Sequence, residues 1–299
     1  MSYAAQKITF KEIAMKFSMY SGFMDILNRD GIEKAAKYAK DSGFSGVEFL
    51  YYAKKPELIP SVEVAKEYKA VLDSFGLSVP CVSVGATLVN ADEPDRVSEP
   101  AVQGLIKAMD FSAAVGAKCF HHTLMHDRVA PPNLSYDGVL PIVLEGAKRI
   151  ADYAKELGMT VIYEPQGPFF TSRANLGKFF REIKKLCSNV GICGDIANTY
   201  YCGEEPYALF EEFTEDIAHV HLNDYVFFGD VVDKTESGIY KQPDCKQVVI
   251  GEGDIDIKRV LTILKKVNYN GFMSVENRLS LEPKEVFAAV MDKITAMYE

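Results

Sequence analysis

Four side chains that could act together each end a short apolar run of this 299-residue chain: Glu164 in TVIYE, Asp195 in GICGD, His221 in HVH and Glu276 in MSVE. Three carboxylates and an imidazole that converged inside a protein would repel one another and lose hydration unless a divalent cation neutralised them. Oxygen ligands with one nitrogen suit Mn²⁺, Mg²⁺ or Co²⁺ better than a structural zinc site. These residues therefore predict one divalent metal, with Mn²⁺ preferred and Mg²⁺, Co²⁺ and Zn²⁺ as alternatives.

The segment HVHLND at 219–224 contains two of the five histidines of the chain. Side chains alternate between the two faces of a strand, so His219 and His221 point the same way. His221 lies nearer the carboxyl end and is the ligand candidate, whereas His219 is expected to pack in the interior. The alternative is that both are hydrogen-bonded core histidines.

Eight short apolar or β-rich runs recur along the chain, separated by amphipathic stretches of helical period. They are residues 13–20, 44–50, 77–84, 117–124, 159–165, 190–196, 217–223 and 272–278. A glycine follows the end of several intervening helical stretches, as expected at helix C-termini. This alternation predicts parallel strands joined by right-handed crossovers.

Eight such units favour a (β/α)₈ TIM barrel, formed by residues 1–299 as a single domain. A doubly wound sheet is the alternative, but no G-x-G-x-x-G follows the first predicted strand. Active sites of barrels lie at the carboxyl ends of the strands, where the four candidate residues stand. The long segment 225–253 after the seventh predicted strand is expected to cover that site.

Composition limits the partners and the compartment. The chain has 33 basic and 42 acidic residues and a net charge of −9, which disfavours nucleic acid and anionic membrane surfaces. Its six cysteines form no C-x-x-C pair, which is typical of free thiols in a reducing compartment. The N-terminal residues lack the apolar core of a signal peptide, and no stretch reaches membrane-spanning length. We therefore expect a cytoplasmic protein.

Together, these residues resemble the xylose isomerase-like TIM barrels, specifically the sugar and sugar-phosphate isomerase and epimerase branch. The resemblance covers nearly the whole chain. DIAN at 195–198, HVHLND at 219–224, and VVIGEGDIDI at 248–257 followed by YNGFMSVE are similar to the pattern of ketose 3-epimerases that act on L-ribulose or L-xylulose 5-phosphate. The last block is shared across the superfamily, so it indicates the fold better than the substrate.

The resemblance implies a metal-dependent isomerase or epimerase with a small carbohydrate substrate and, as an option, a homo-oligomeric state. Glu164, Asp195, His221 and Glu276 would hold the metal. Glu164 and Glu276 would also act as base and acid on opposite sides of the substrate, with an enediolate between the two proton transfers.

Six further residues are candidates for substrate binding: Glu48, His121, His122, Asn198, Asn223 and Arg278. His121 and His122 are adjacent in a predicted strand, so at most one of them faces the barrel interior. For Glu48 the alternative is a structural role beside a cation, and for Arg278 it is a solvated charge at the rim.

Three other functions are alternatives to an epimerase. A lyase on the same scaffold, either an inosose dehydratase or a subunit that cleaves 3-keto C-glycosides, would begin with the same proton removal. The HHTLMH segment at 121–126 could supply the extra acid that elimination needs. An apurinic endonuclease is disfavoured by the acidic charge. A catalytically silent sugar-binding protein is disfavoured by the costly carboxylate cluster.

Overall fold

The computed structural model describes residues 15–126, 134–228, 244–276 and 284–298. The strands in these ranges are β1 (Lys16–Met19), β2 (Gly46–Val47), β3 (Phe49–Tyr52), β4 (Cys81–Gly85), β5 (Cys119–His122), β6 (Thr160–Tyr163), β7 (Val190–Asp195), β8 (Ile217–Leu222), β9 (Tyr225–Phe227), β10 (Cys245–Gln247) and β11 (Phe272–Val275). The helices are α1 (Ser21–Asp30), α2 (Ile32–Asp41), α3 (Val62–Ser74), α4 (Glu99–Val115), α5 (Tyr136–Glu156), α6 (Arg173–Leu186), α7 (Pro206–Glu212), α8 (Ile257–Lys266) and α9 (Lys284–Tyr298).

Nine of these strands form a parallel barrel in the order β2, β1, β11, β8, β7, β6, β5, β4, β3. The first and last strands of this order, β2 and β3, are separated in the chain by Glu48 alone. A further parallel bridge joins Gly46 to Ser78, so the sheet returns to its starting strand. The predicted TIM barrel is therefore confirmed, with the strand predicted at 44–50 divided at Glu48.

The division at Glu48 has a topological cause. Before it, β2 pairs with β1; after it, β3 pairs with β4. At the junction, the backbone N–H of Glu48 donates to the carbonyl of Met19 (3.0 Å). One stretch of chain thus changes partners within a few residues, and this change places Glu48 inside the barrel.

Side-chain caps mark the start of five barrel helices. The residue preceding each helix accepts a hydrogen bond from the backbone N–H three residues later, which satisfies an otherwise free donor. These caps are Ser61, Ser98, Ser135, Ser172 and Asp256. The apolar helix faces then cover the outer side of the barrel, as in Phe111 of α4 packed edge-on against Phe49 of β3. No helix in the described ranges is long and apolar enough to cross a membrane.

The segment 225–253, which was expected to cover the site, contains two strands. Its described parts form an antiparallel hairpin in which Tyr225–Phe227 pairs with Cys245–Gln247. Residues 229–243, between these strands, lie outside the described residues, so the expected covering of the site is not tested there.

Asp224 fastens the base of this hairpin to the end of β8. Its carboxylate accepts hydrogen bonds from the backbone N–H groups of Tyr225 (2.9 Å), Gly251 (2.8 Å) and Gly253 (2.9 Å). A Cβ atom at position 253 would lie 2.1 Å from Asp224 Oδ1, so only glycine permits this close approach.

Candidate active site

Four adjacent barrel strands each bring one of the four candidate ligands to the same end of the barrel. In sheet order, Glu276 follows β11, His221 lies on β8, Asp195 ends β7 and Glu164 follows β6. Asp195 and His221 are register partners. Glu164 and Glu276 therefore stand at the two ends of the row, with the other two ligands between them. We call these four residues the ligand row.

The side chains of the ligand row converge on one imidazole nitrogen. His221 Nδ1 lies 3.0 Å from Glu164 Oε2 and 3.9 Å from Glu276 Oε2. Asp195, His221 and Glu276 each offer a ligand atom within 4.8 Å of one another, and a second such group comprises Glu164, Cys193 and His221. All four residues predicted as metal ligands are thus brought together.

Glu48 fixes the orientation of the His221 ring through a hydrogen bond. Its Oε1 accepts from His221 Nε2 (3.1 Å), which leaves Nδ1 facing the carboxylates. A carboxylate behind a histidine in this way selects the tautomer and orientation of a metal ligand. The ring of Tyr20 stacks on that of His221 with centroids 5.1 Å apart, which further restricts its rotation.

Asp195 is held by the backbone that follows it. Its Oδ1 accepts from the N–H groups of Ala197 (2.8 Å) and Asn198 (2.6 Å). Its Oδ2 accepts from Asn223 Nδ2 (3.1 Å), which also lies 3.4 Å from Glu276 Oε2. The amide of Asn223 therefore links two members of the ligand row.

The chemistry of this donor set fits a divalent cation. Burial, together with the charge of Glu164, raises the pKa of Asp195 to about 6. Burial and the charge of Asp195 raise the pKa of Glu276 to about 8, against the opposing effect of His221. Burial lowers the pKa of His221, but the charges of Cys193 and Glu48 raise it well above its usual value. A single imidazolium cannot balance three carboxylates, so the protein atoms alone leave a deficit of positive charge. Asn223 Oδ1 is buried and has no hydrogen-bond partner among the described residues, so a further polar ligand could be accepted beside the row.

A cavity of about 790 Å³ opens above the ligand row. Glu164 and Glu276 line it, whereas Asp195 and His221 are buried and do not contribute to its lining. Its wall combines aromatic and hydrogen-bonding side chains: Tyr20, Tyr52, Tyr201, Tyr225, Gln247 and Lys54. This size falls in the range of small-molecule sites, roughly 300–1,000 Å³, and the polar lining suits a hydroxylated ligand.

Of the other residues predicted to bind substrate, three line the cavity and His122 does not. His121, Asn198 and Asn223 line the cavity, which makes them available to a ligand. His122 lies on the opposite face of β5, where its ring packs edge-on against Tyr163 and its Nδ1 lies 3.0 Å from the carbonyl oxygen of Thr123.

Two of the predicted binding residues cannot be placed at the cavity. Glu48 is 0% exposed and lies beneath the floor, where histidines and serines occupy its oxygens. Arg278 lies outside the described residues. The structure thus gives Glu48 a supporting position rather than the expected contact with a sugar hydroxyl.

Sequence reasoning missed two buried serines beside Glu48. Ser83 on β4 donates to Glu48 Oε1 (2.6 Å), and Ser274 on β11 donates to Glu48 Oε2. Each serine is the lone polar residue in an apolar strand, in VPCVSV and FMSV. That pattern could have indicated an inward polar network, because buried hydroxyl groups require hydrogen-bond partners.

Known proteins similar to this chain include both lyases and epimerases. An inosose dehydratase of Glaesserella parasuis serovar 5 (strain SH0165) is 26% identical over 196 residues, which cover 61% of this chain and 65% of that protein. The chain thus spans slightly less than two thirds of the length of this relative.

Two solved structures superpose over almost the whole chain. The D-psicose 3-epimerase of Clostridium cellulolyticum H10 with D-tagatose has a TM-score of 0.74 at 14% identity, covering 95% of this chain and 100% of that one. The IOLI protein with a bound zinc atom has a TM-score of 0.71 at 16% identity, covering 95% and 98%. At these identities the likeness concerns the fold. The model of the family described as xylose isomerase-like TIM barrel matches residues 36–296, and the chain belongs to that family.

Proposed function

We propose that this protein is a metal-dependent sugar or sugar-phosphate epimerase or isomerase that removes a proton beside a ketone. The observation that carries the proposal is the position of Glu164 and Glu276. Both open onto the cavity, and they stand at opposite ends of the ligand row. A ketose bound between them would present one face to each carboxyl group, as removal and return of a proton on opposite faces require.

One divalent cation would be held by Glu164, Asp195, His221 and Glu276, with Mn²⁺ as the first candidate. When bound, it would neutralise the carboxylates and polarise the ketone, which acidifies the neighbouring C–H bond. The zinc atom in the IOLI protein supports a divalent ion in this fold without deciding which metal this chain uses.

The protein side chains have separable roles in this proposal. Glu164 takes the proton from carbon, and Glu276 returns one on the other face. Asn223 and Asn198 border the same part of the cavity and would orient hydroxyl groups of the sugar. Glu48 would act through the side chains that it contacts, among them His221, because it does not itself reach the cavity.

The second candidate is a dehydratase that shares the first proton removal. It is favoured by His121, whose buried Nε2 has no hydrogen-bond partner among the described residues and lies 3.5 Å from Glu164 Oε1. A third acid–base group at that position could assist a departing hydroxyl group. The name of the aligned relative, inosose dehydratase, supports this candidate to a similar degree.

A substrate screen distinguishes the two candidates. Free ketoses, ketose phosphates and inososes are incubated in D₂O with the protein and Mn²⁺ and followed by NMR. The epimerase predicts deuterium at the carbon beside the ketone together with an inverted sugar, whereas the dehydratase predicts loss of water from an inosose. Absence of exchange in every class by protein shown to contain metal would reject both candidates.

A further inference from the structure

The side chains hydrogen-bonded to Glu48 must all act as donors, because an ionised carboxylate can only accept hydrogen bonds. Its Oε1 accepts hydrogen bonds from Ser83 Oγ and His221 Nε2. Its Oε2 accepts hydrogen bonds from His219 Nε2 (2.9 Å) and Ser274 Oγ. Each oxygen of Glu48 is thus occupied by two donors, which leaves no position for a proton on the carboxylate. Glu48 therefore has no proton to offer Ser83.

Ser83 then determines which nitrogen of His121 carries the proton. A serine hydroxyl has one hydrogen, and Ser83 uses it in the bond to Glu48. His121 Nδ1 lies 2.9 Å from the same Ser83 oxygen, which can only accept from it. Nδ1 is thus the protonated nitrogen of His121, and in a neutral imidazole Nε2 carries a lone pair.

The lone pair of Nε2 faces the reacting part of the cavity. Nε2 is buried, lies 3.5 Å from Glu164 Oε1 and makes no hydrogen bond with any described residue. Protonation of this nitrogen would place a second positive charge close to the proposed cation, which is unfavourable. Two acceptors, one on His121 and one on Glu164, therefore lie side by side without a donor between them.

We propose that Glu48, acting through Ser83, locks His121 in the Nδ1–H tautomer, so that Nε2 is a fixed acceptor for a hydroxyl group of the substrate. This inference rests on the proposed function for the identity of the ligand as a hydroxylated ketone. The same carboxylate also orients His221. One buried charge therefore directs two imidazole lone pairs toward Glu164, one to hold the cation and one to bind substrate.

The chemical class recognised at this point follows from the acceptors. His121 Nε2 and Glu164 would repel a phosphate or carboxylate group of a ligand but accept a hydrogen bond from a hydroxyl. The substrate therefore carries a free hydroxyl close to the carbon from which Glu164 removes the proton. Any phosphate group must lie at another part of the cavity.

The tautomer can be measured without knowing the substrate. ¹⁵N-histidine NMR of the Mg²⁺-loaded protein separates protonated from unprotonated ring nitrogens, and His121→Gln assigns the signals. We expect a protonated Nδ1 and an unprotonated Nε2 on His121 of the wild type. A protonated Nε2 in the wild type overturns the inference, whatever the variants do.

Two serine variants test whether Ser83 is the link. Ser83→Ala should shift His121 toward the Nε2–H tautomer, because the accepting oxygen is gone. Ser274→Ala is the matched control. It also removes a hydrogen-bond donor to Glu48, but this donor binds Oε2, whereas Ser83 binds Oε1. It should leave the His121 signals unchanged. Equal effects of the two substitutions would show that general disturbance of the network, and not the link, sets the tautomer.

Kinetics with whichever ketone exchanges its proton tests the contact with substrate. Ser83→Ala should raise KM about tenfold, as loss of a hydrogen bond in both ground and transition states does, with little change in kcat. When Ser83→Ala is added to the His121→Gln variant, it should not change KM further. Additive effects, or an unchanged KM in Ser83→Ala, would remove the substrate contact. If no ketone exchanges, the proposed function fails while the tautomer measurement still stands.

Discussion

Glu48 is the residue at which the hydrogen bonds of the candidate site converge. Its two oxygens receive donors from three strands of the barrel, β4, β8 and β11. The network extends to a fourth strand, β1, because Ser18 is hydrogen-bonded to Ser274 (2.5 Å). A buried charge is tolerated only when it is hydrogen-bonded this completely. The residues proposed to bind metal and substrate therefore depend on one that does not reach the cavity.

Glu48→Gln should weaken metal binding by roughly 10- to 100-fold, as expected when the partner behind a ligating histidine is altered. The amide cannot attract the His221 Nε2–H as a charged carboxylate does. Competition with a fluorescent chelator measures the affinity, and Glu63→Gln on the exposed side of α3 is the control. An affinity within about twofold of the wild type would separate Glu48 from the metal.

Glu276→Gln tests whether Glu276 is an acid–base group as well as a ligand. The amide oxygen could still coordinate, whereas the proton that must be returned is lost, so turnover should fall by roughly 100-fold or more. Glu164 could still exchange the substrate proton with D₂O from one epimer. Exchange without inversion, followed by NMR, is the expected result. Inversion within a few-fold of the wild type would mean that Glu276 only binds metal.

At the level of elements, the barrel strands were predictable and their interruptions were not. The eight predicted apolar runs correspond to the barrel strands because buried parallel strands read as continuous apolar sequence. The break at Glu48 was missed because its cause is a change of pairing partner, from Met19 on β1 to Val82 on β4. Pairing with strands distant in the chain leaves no local signal. The β9–β10 hairpin was missed because each of its strands has only three residues, too few to show an alternating pattern.

The candidate site was partly predictable for the same reason. Strand-end positions identified Glu164, Asp195, His221 and Glu276, and the alternation of faces limited the choice between His121 and His122. Their roles in metal binding and catalysis remain proposals. Ser83 and Ser274 required the three-dimensional network, since nothing in the sequence pairs them with Glu48.

Asp224→Asn tests the fastening of the β9–β10 hairpin to the barrel. The new amide would place an N–H₂ group against backbone donors at Gly251 and Gly253. Leaving such donors unsatisfied costs about 1–3 kcal/mol, so we expect a lower free energy of unfolding in denaturant titrations.

Asp224→Asn should also lower the turnover rate, because Gln247 of β10 donates to the backbone carbonyl of Glu276 (2.8 Å). The control Asp256→Asn alters an exposed helix cap far from this contact. Full activity in a variant with a lower free energy of unfolding would exclude a role for the hairpin in placing Glu276.

At the scale of the whole molecule, metal and pH should act together on stability. The raised pKa values of Asp195 and Glu276 mean that the folded, metal-free protein holds protons that the unfolded chain releases. Their contribution to stability is therefore present below the ordinary pKa of these groups and is lost as pH rises through about 6 and about 8.

We accordingly expect the Tm of chelator-treated protein to fall between about pH 6.5 and about pH 8. At lower pH the effect is opposed by His121 and His122, because burial lowers the pKa of each to about 4. Added Mn²⁺ should raise Tm more at the upper end of that range, because the deprotonated row binds the cation more tightly. Scanning calorimetry at several pH values, with and without metal, measures both effects. A metal-induced shift in Tm that does not grow with pH would contradict this account.

The network around Glu48 also has a consequence for the way the chain is made. Its members are recruited from Ser18 to Ser274, a separation of 256 residues. During synthesis, Glu48 leaves the ribosome long before β11 does, so until β11 is made the carboxylate of Glu48 lacks the donor of Ser274. Contacts of such long range slow folding, because their loop entropy is lost before any contact is gained. Closure of the seam and assembly of the site are then one late event, and a chain that stops short of β11 would be neither closed nor competent to bind metal.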